Sequence, residues 1–284
     1  MAHHLKAPAL KAPALKAPAL KAIVFDWAGT MIDFGSCAPV EALIAAFAEE
    51  GVTLTAAEAR HDMGRAKRDH VASAMAIPSV TQAWTAAKGS APGADDVERI
   101  YTALEPLMTQ AAARHIELIP GALSALADAR ARGLKIGSNT GYTREMMQSI
   151  LKAAADQGYV PDAVVCAGET AEGRPTPLML WKLWVELGVH PAAACVKVDD
   201  AEVGIGEGRA AGCWTVGIAA SGNAVGLSWP DYERLSDDER RARIAVASQA
   251  LSDAGAHYVV DTVADLPGVL DAIEARLGAG ERPQ

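Results

Sequence analysis

From about residue 116 to residue 277 the chain alternates short apolar runs with longer amphipathic segments, and this rhythm constrains the fold more than any other feature. The runs Leu134–Ser138, Asp162–Cys166, Cys195–Val198, Cys213–Ile218 and His257–Val260 have the length and composition of buried strands. Helical patterns lie among them: Gly121–Arg132, stopped by Gly133, then Thr143–Asp156, Pro177–Leu187, Val203–Ala211 and finally Asp265–Leu277. Strands that alternate with helices predict an α/β fold, a Rossmann-like parallel sheet covered by helices. One further strand, about residues 22–26, stands apart. A purely helical stretch follows it: Val40–Glu50 ended by Gly51, a segment from Thr55 through Met75, and Val97–Arg114. Thr55 and Glu58 have capping-box spacing. Residues 37–115 therefore read as an all-helical cap domain inserted into a core made of 21–36 and 116–280. Such a cap would hang over the carboxyl ends of the strands, where it can close on a ligand.

Those carboxyl ends carry the chemistry. The first strand runs into Asp26, in Lys21-Ala-Ile-Val-Phe-Asp-Trp-Ala-Gly-Thr30, and ligands of α/β proteins bind in the crevice beyond the strand ends. After the second come Ser138, Asn139, Thr140 and Tyr142; after the third, Gly173-Arg-Pro175; after the fourth, Asp199 and Asp200. A carboxylate that can attack or bind metal, hydroxyl and amide donors, a fixed cation and a further carboxylate pair suit a phosphoryl group with Mg²⁺. The metal takes hard oxygen ligands, and Arg with backbone N–H groups neutralises phosphate oxygens.

Composition agrees with a small-molecule enzyme. The 26 Lys and Arg against 35 Asp and Glu leave a net charge of −9, which disfavours a nucleic-acid surface. No apolar run has the ~20 residues of a membrane span. The four cysteines form neither a CxxC pair nor a zinc pattern with histidine, as expected of a reduced, cytoplasmic protein. At the start, Lys-Ala-Pro-Ala-Leu repeats at 6–10, 11–15 and 16–20. Proline at every fifth residue excludes a regular helix, so residues 1–20 read as a disordered tail, with targeting or partner binding as the alternative.

The order of these motifs resembles the haloacid dehalogenase superfamily. Asp26-Trp-Ala-Gly-Thr30 with Asp33-Phe-Gly35, Met63-Gly64 with Lys67 and His70, Gly137-Ser138 with Thr140-Gly-Tyr-Thr-Arg-Glu-Met-Met147, and Gly173-Arg-Pro175 resemble the phosphonoacetaldehyde hydrolases, or phosphonatases. The resemblance runs from about Lys21 to the last helix. It implies hydrolysis of phosphonoacetaldehyde to acetaldehyde and phosphate, with Mg²⁺, a Schiff-base lysine on the cap and a homodimer formed through the cap.

That resemblance gives the residues roles. Asp26 becomes the nucleophile, Lys67 the imine lysine, and Arg174 and Thr140 contacts to phosphate. Ser138 competes with Thr140 for the hydroxyl contact, and Thr30 is either a turn hydroxyl or part of the phosphate cradle. Tyr142 and Met63 either line the aldehyde pocket or pack as core. His70, three residues beyond Lys67 on one helical face, either tunes the lysine and helps proton transfer or simply packs. An imine-forming lysine must be partly neutral near pH 7, through burial or through nearby positive charge such as Arg65, Arg68 or the metal.

Ala28 stands where many phosphate-transfer enzymes of this pattern have a second Asp, and it can offer a metal only its carbonyl. A C–P bond has no alkoxide leaving group to protonate, so an acid there has no task; the iminium is the electron sink instead. The metal set is thus Asp26, Ala28 and Asp200, with Asp199 as second choice. The superfamily pattern places another acid about four residues after Asp200, and here that position is Gly204; Glu202 and Glu207 lie nearby at the wrong spacing. Two alternatives remain. One is a phosphomonoesterase of the same superfamily, which Ala28 disfavours. The other is a phosphoryl-ligand binding protein without catalysis.

Overall fold

The computed structural model of the chain describes residues 20–283. The repeat assigned to a disordered tail lies outside them except for Leu20, which is buried in the core. Strand β1 (Ala22–Phe25) opens the fold. Five helices follow: α1 (Cys37–Glu49), α2 (Ala56–Arg60), α3 (Lys67–Ala76), α4 (Pro78–Lys88) and α5 (Ala94–Ala112). The chain then alternates through α6 (Ala122–Ala131), β2 (Lys135–Thr140), α7 (Arg144–Asp156), β3 (Ala163–Cys166), α8 (Leu178–Leu187), β4 (Cys195–Asp199), α9 (Glu202–Ala211) and β5 (Trp214–Ile218). It ends with α10 (Trp229–Glu233), α11 (Asp237–Asp253), β6 (Tyr258–Val260) and α12 (Leu266–Gly278).

The six strands form one sheet in the order β3-β2-β1-β4-β5-β6, with every neighbouring pair parallel. The predicted α/β class with a parallel sheet is what the chain adopts. β1 is central and apolar on both faces: Ile23 and Phe25 join the larger core, while Ala22 and Val24 pack in the cluster under α8. A strand covered on both sides needs such an unbroken apolar run. The register sets Phe25 level with Ser138 on β2 and Val198 on β4. Asp26, Asn139 and Asp199 therefore leave the sheet side by side. Successive crossovers diverge between β1 and β4, so the crevice at these strand ends is the expected ligand position.

The helical stretch differs from expectation in detail. The predicted helix Thr55–Met75 is two helices, parted by a turn in which Asp62 and Gly64 both take positive φ, 57° and 95°. The capping box is present: Glu58 N donates to Thr55 Oγ1 at 3.2 Å, and Glu58 accepts from Thr55 N at 2.8 Å. Helices α4 and α11 were not anticipated. α4 buries only Val80 and Trp84, and α11 only Ala247 and Leu251, so neither shows a clear apolar stripe in sequence. α1 packs along α5, and Phe47 meets Trp84 edge to face at 6.2 Å between centroids.

Candidate active site

The turn that splits the predicted helix carries the helical stretch to the strand ends. It lies so close to the loop after β2 that a Cβ on Gly141 would overlap the Arg65 carbonyl. Lys67 begins α3 directly after this turn and is only 3% exposed. Asp26, Ala28, Met63, Lys67, Thr140, Tyr142, Arg174 and Asp200 all line one cavity of about 330 Å³, its open mouth included. Residues far apart in the chain thus meet at the carboxyl ends of β1, β2 and β4.

Lys67 meets a thioether and an aromatic ring rather than a carboxylate. Its Nζ lies 3.9 Å from Met63 Sδ and 4.9 Å from the centre of the Tyr142 ring. Burial lowers its pKa to about 8; Asp26 opposes the shift and the Arg174 cation adds to it. The two arginines suggested by sequence point elsewhere, Arg65 to Asp62 at 3.3 Å and Arg68 to Glu98. Tyr142 Oη is buried and has no hydrogen-bond partner among the described residues. Burial, reinforced by the surrounding carboxylates, raises its pKa, so it stays a donor. An orphaned donor in a cavity is costly unless a ligand accepts from it.

Asp26 accepts from Arg174 Nη1 at 2.8 Å. Arg174 is itself locked: Nη2 donates to the Asn139 carbonyl at 2.8 Å and to Asn139 Oδ1 at 2.7 Å, and Nε lies 3.1 Å from Glu207 Oε2. Burial disfavours its charge, but Asp26, Asp199 and Glu207 overcome this and strengthen it. Asp200 is gripped from three sides, by Thr30 Oγ1 at 3.3 Å, Ser36 Oγ at 3.2 Å and the Asn223 N–H at 2.7 Å. Thr30 therefore serves Asp200, and Ser36 joins it there.

One oxygen from each of Asp26, Asp199 and Asp200 lies within 4.8 Å of the other two. Burial, then repulsion from Asp199, pushes the Asp26 carboxyl up to about 6. Burial, then Asp26 and Asp199, raises Asp200 above the ordinary carboxylate range. Hard oxygen donors whose mutual repulsion Arg174 and Lys197 offset only in part fit a hard divalent cation. The buried acidic cluster can bind a metal ion.

Two candidates are placed away from the cavity. Ser138 Oγ donates to the Phe25 carbonyl at 2.8 Å and accepts from Tyr159 Oη at 3.2 Å, which leaves Thr140 as the cavity hydroxyl. His70 Nε2 donates to the Ala59 carbonyl at 3.0 Å. Burial and the nearby Lys67 charge lower its pKa to about 3, so the ring is neutral and ties α3 to α2.

Sequence reasoning gave no role to a buried network beside the site. Lys197 Nζ lies 2.6 Å from Asn139 Oδ1 and 2.9 Å from Asp199 Oδ2, and both Glu207 oxygens accept from Asn139 Nδ2. Glu207, discounted as a metal ligand for its spacing, binds Arg174 and Asn139 instead. The available signal was Lys197 itself, a charge in the middle of an apolar strand.

Comparison with known proteins gives a consistent picture. Residues 20–212 match the family model of haloacid dehalogenase-like hydrolases. The chain is 49% identical to the phosphonoacetaldehyde hydrolase of Paraburkholderia xenovorans over 262 residues, covering 92% of this chain and 98% of the relative. It is 45% identical to that of Nitratidesulfovibrio vulgaris, covering 92% and 94%. Among solved structures, a phosphonoacetaldehyde hydrolase-like protein from Oleispira antarctica superposes with a TM-score of 0.93 at 43% identity, covering 99% of this chain and all of that one. A hydrolase from Pseudomonas syringae, 19% identical with a TM-score of 0.65 over 89% of this chain and 99% of its own, shares the fold.

Proposed function

The chain belongs to the phosphonoacetaldehyde hydrolase family of the haloacid dehalogenase-like hydrolases, and from that premise we propose that it hydrolyses the C–P bond of phosphonoacetaldehyde through a Lys67 imine and an Asp26 phosphate. One observation carries the reading: a buried lysine with its pKa lowered to about 8 shares a small cavity with Asp26, while Ala28 holds the place of an acid.

The neutral Lys67 amine attacks the aldehyde carbon, and loss of water leaves an iminium. An Asp26 oxygen, aimed by Arg174, attacks phosphorus. The C–P bond breaks and its electron pair moves into the iminium to give an enamine. Water then cleaves the aspartyl phosphate to phosphate. Protonation of the enamine carbon and hydrolysis of the resulting iminium release acetaldehyde and restore the amine. Arg174 and Thr140 bind phosphoryl oxygens, and Tyr142 and Met63 shape the aldehyde end. Asp26, Asp200 and the Ala28 carbonyl would hold Mg²⁺, which supplies positive charge to the phosphoryl oxygens when bound.

Residues 37–115 act on this reading as the cap that brings Lys67 to the core and excludes water, within a homodimer formed through the cap. No helix among the described residues is long and apolar enough to cross a membrane, and Cys37, Cys166, Cys195 and Cys213 are all free thiols, which supports a cytoplasmic enzyme.

The test is release of acetaldehyde and phosphate from phosphonoacetaldehyde, with and without Mg²⁺. Borohydride added with substrate should fix a two-carbon unit on Lys67. Phosphate release from sugar phosphates but not from the phosphonate would establish a phosphomonoesterase instead.

A further inference from the structure

The two segments that bound the helical stretch run side by side. The Asp33 N–H donates to the Glu117 carbonyl at 3.2 Å, and Ile32 pairs with Leu118 in an antiparallel bridge. Three side chains of unlike chemistry meet there. Asp33 is buried, Cys37 opens α1, and His115 follows α5. One ligand atom of each, a carboxylate oxygen, the thiol sulfur and a ring nitrogen, lies within 4.8 Å of the other two. None of the three lines the Lys67 cavity.

His115 is set for coordination. Its Nε2 lies 2.8 Å from Glu41 Oε1, and because a carboxylate only accepts, Nε2 carries a proton. Nδ1 then faces Asp33 Oδ1 at 3.6 Å, too long for a hydrogen bond. In the neutral ring this sets a lone pair against a carboxylate, a repulsive contact unless a positive charge comes between them. The separation is close to the span of about 3.3 Å between two donors on one tetrahedral ion. An imidazole whose other nitrogen donates to a carboxylate is also the usual form of a metal-bound histidine. Asp33 is fixed by the Cys37 and Ala38 N–H groups, both at 2.9 Å, and each of its oxygens keeps a second lone pair. Burial, then the charge of Asp33, pushes the Cys37 thiol up to about 11, so an arriving ion must displace its proton.

We propose that Asp33, Cys37 and His115 form a further metal site, for a thiophilic transition ion of the Zn²⁺ class rather than for Mg²⁺. Sulfur and imidazole donors select such ions over hard cations. On binding, the thiol releases its proton to solvent and the thiolate draws inward to the ion. Water from the cleft lined by Phe34, His115 and Trp229 takes the fourth position. Bound there, the ion ties the start of α1 to the segment after α5 and stiffens both ends of the helical stretch.

Co²⁺ titrated into the full chain with Mg²⁺ in excess is the direct test, since thiolate ligation gives an intense near-ultraviolet charge-transfer band and carboxylates do not. An equimolar amount should produce the band and release about one proton per ion. Zn²⁺ should bleach the band and raise the Tm. Cys37→Ser should abolish both effects although Cys166, Cys195 and Cys213 remain, and His115→Gln should do the same at the other end of the site. Glu41→Gln, which leaves the ligands in place, should weaken Zn²⁺ binding about tenfold. A parent protein without the band would overturn the proposal. So would a band that survives either Cys37→Ser or His115→Gln, because the thiolate or the imidazole would then come from elsewhere.

Discussion

Lys67 and Lys197 are both buried lysines close to the strand ends, one in the cavity wall and one inside the sheet, and their neighbours treat the charge in opposite ways. Lys197 is surrounded by acceptors, Asp199 at 2.9 Å and Asn139 at 2.6 Å, so burial there holds a polar network together. Lys67 has Met63 sulfur and the Tyr142 ring instead, and burial lowers its pKa to about 8. A lysine becomes a nucleophile near neutral pH where desolvation is not offset by a paired carboxylate. Position in the fold, rather than residue type, separates the amine with the lowered pKa from the one held in a polar network.

The strongest way to break this contrast is Lys67→Ala. It should cut C–P hydrolysis by about 10⁴-fold or more and abolish borohydride trapping, with the Tm close to the parent's. A fully active variant would sink the imine mechanism. Lys197→Met should act on the other side of the comparison. It leaves Asp199 and Glu207 short of a cation and should cost about 3–5 kcal/mol of stability in urea denaturation. An unchanged midpoint would show that the network does not depend on the lysine.

A third substitution turns one lysine toward the other. Below its pKa of about 8 Lys67 is an unreactive ammonium, so trapping in the parent should rise with pH and level off above about 8. Met63→Glu, placing a carboxylate beside Nζ, should move that inflection up by about one unit or more and slow trapping at pH 7. An inflection that stays in place would mean that desolvation alone sets it. Smallest of all, Tyr142→Phe should cost about 1 kcal/mol, a few-fold in kcat/KM, if its orphaned hydroxyl donates to the substrate. A variant equal to the parent would make Tyr142 a packing residue for Lys67.

Much of the molecule could be read from its residues. The strands were anticipated to within about two residues, because apolar runs bounded by turn signals are local patterns. The capping box at Thr55 and Glu58 is local for the same reason. The insert was harder. The Asp62–Gly64 turn that ends α2 and presents Lys67 lies within a continuous helical pattern, and α4 and α11 bury too few residues to mark themselves. Among hydroxyl candidates, Ser138 and Thr140 share one face of β2, and the choice depends on how far along the strand the cavity lies, which only Thr140 at its end reaches.

The sequence by itself determined which chemical groups stand at the strand ends and in what order, since strand periodicity and short motifs are properties of neighbouring residues. Only the tertiary structure decided how those groups divide their charge. It left Lys67 unpaired, joined Arg174 to Asp26 and Glu207, and put the Asp199 carboxylate in the space that a side chain at 204 would need. Such outcomes depend on desolvation and on distances between atoms far apart in the chain, and no local pattern encodes either.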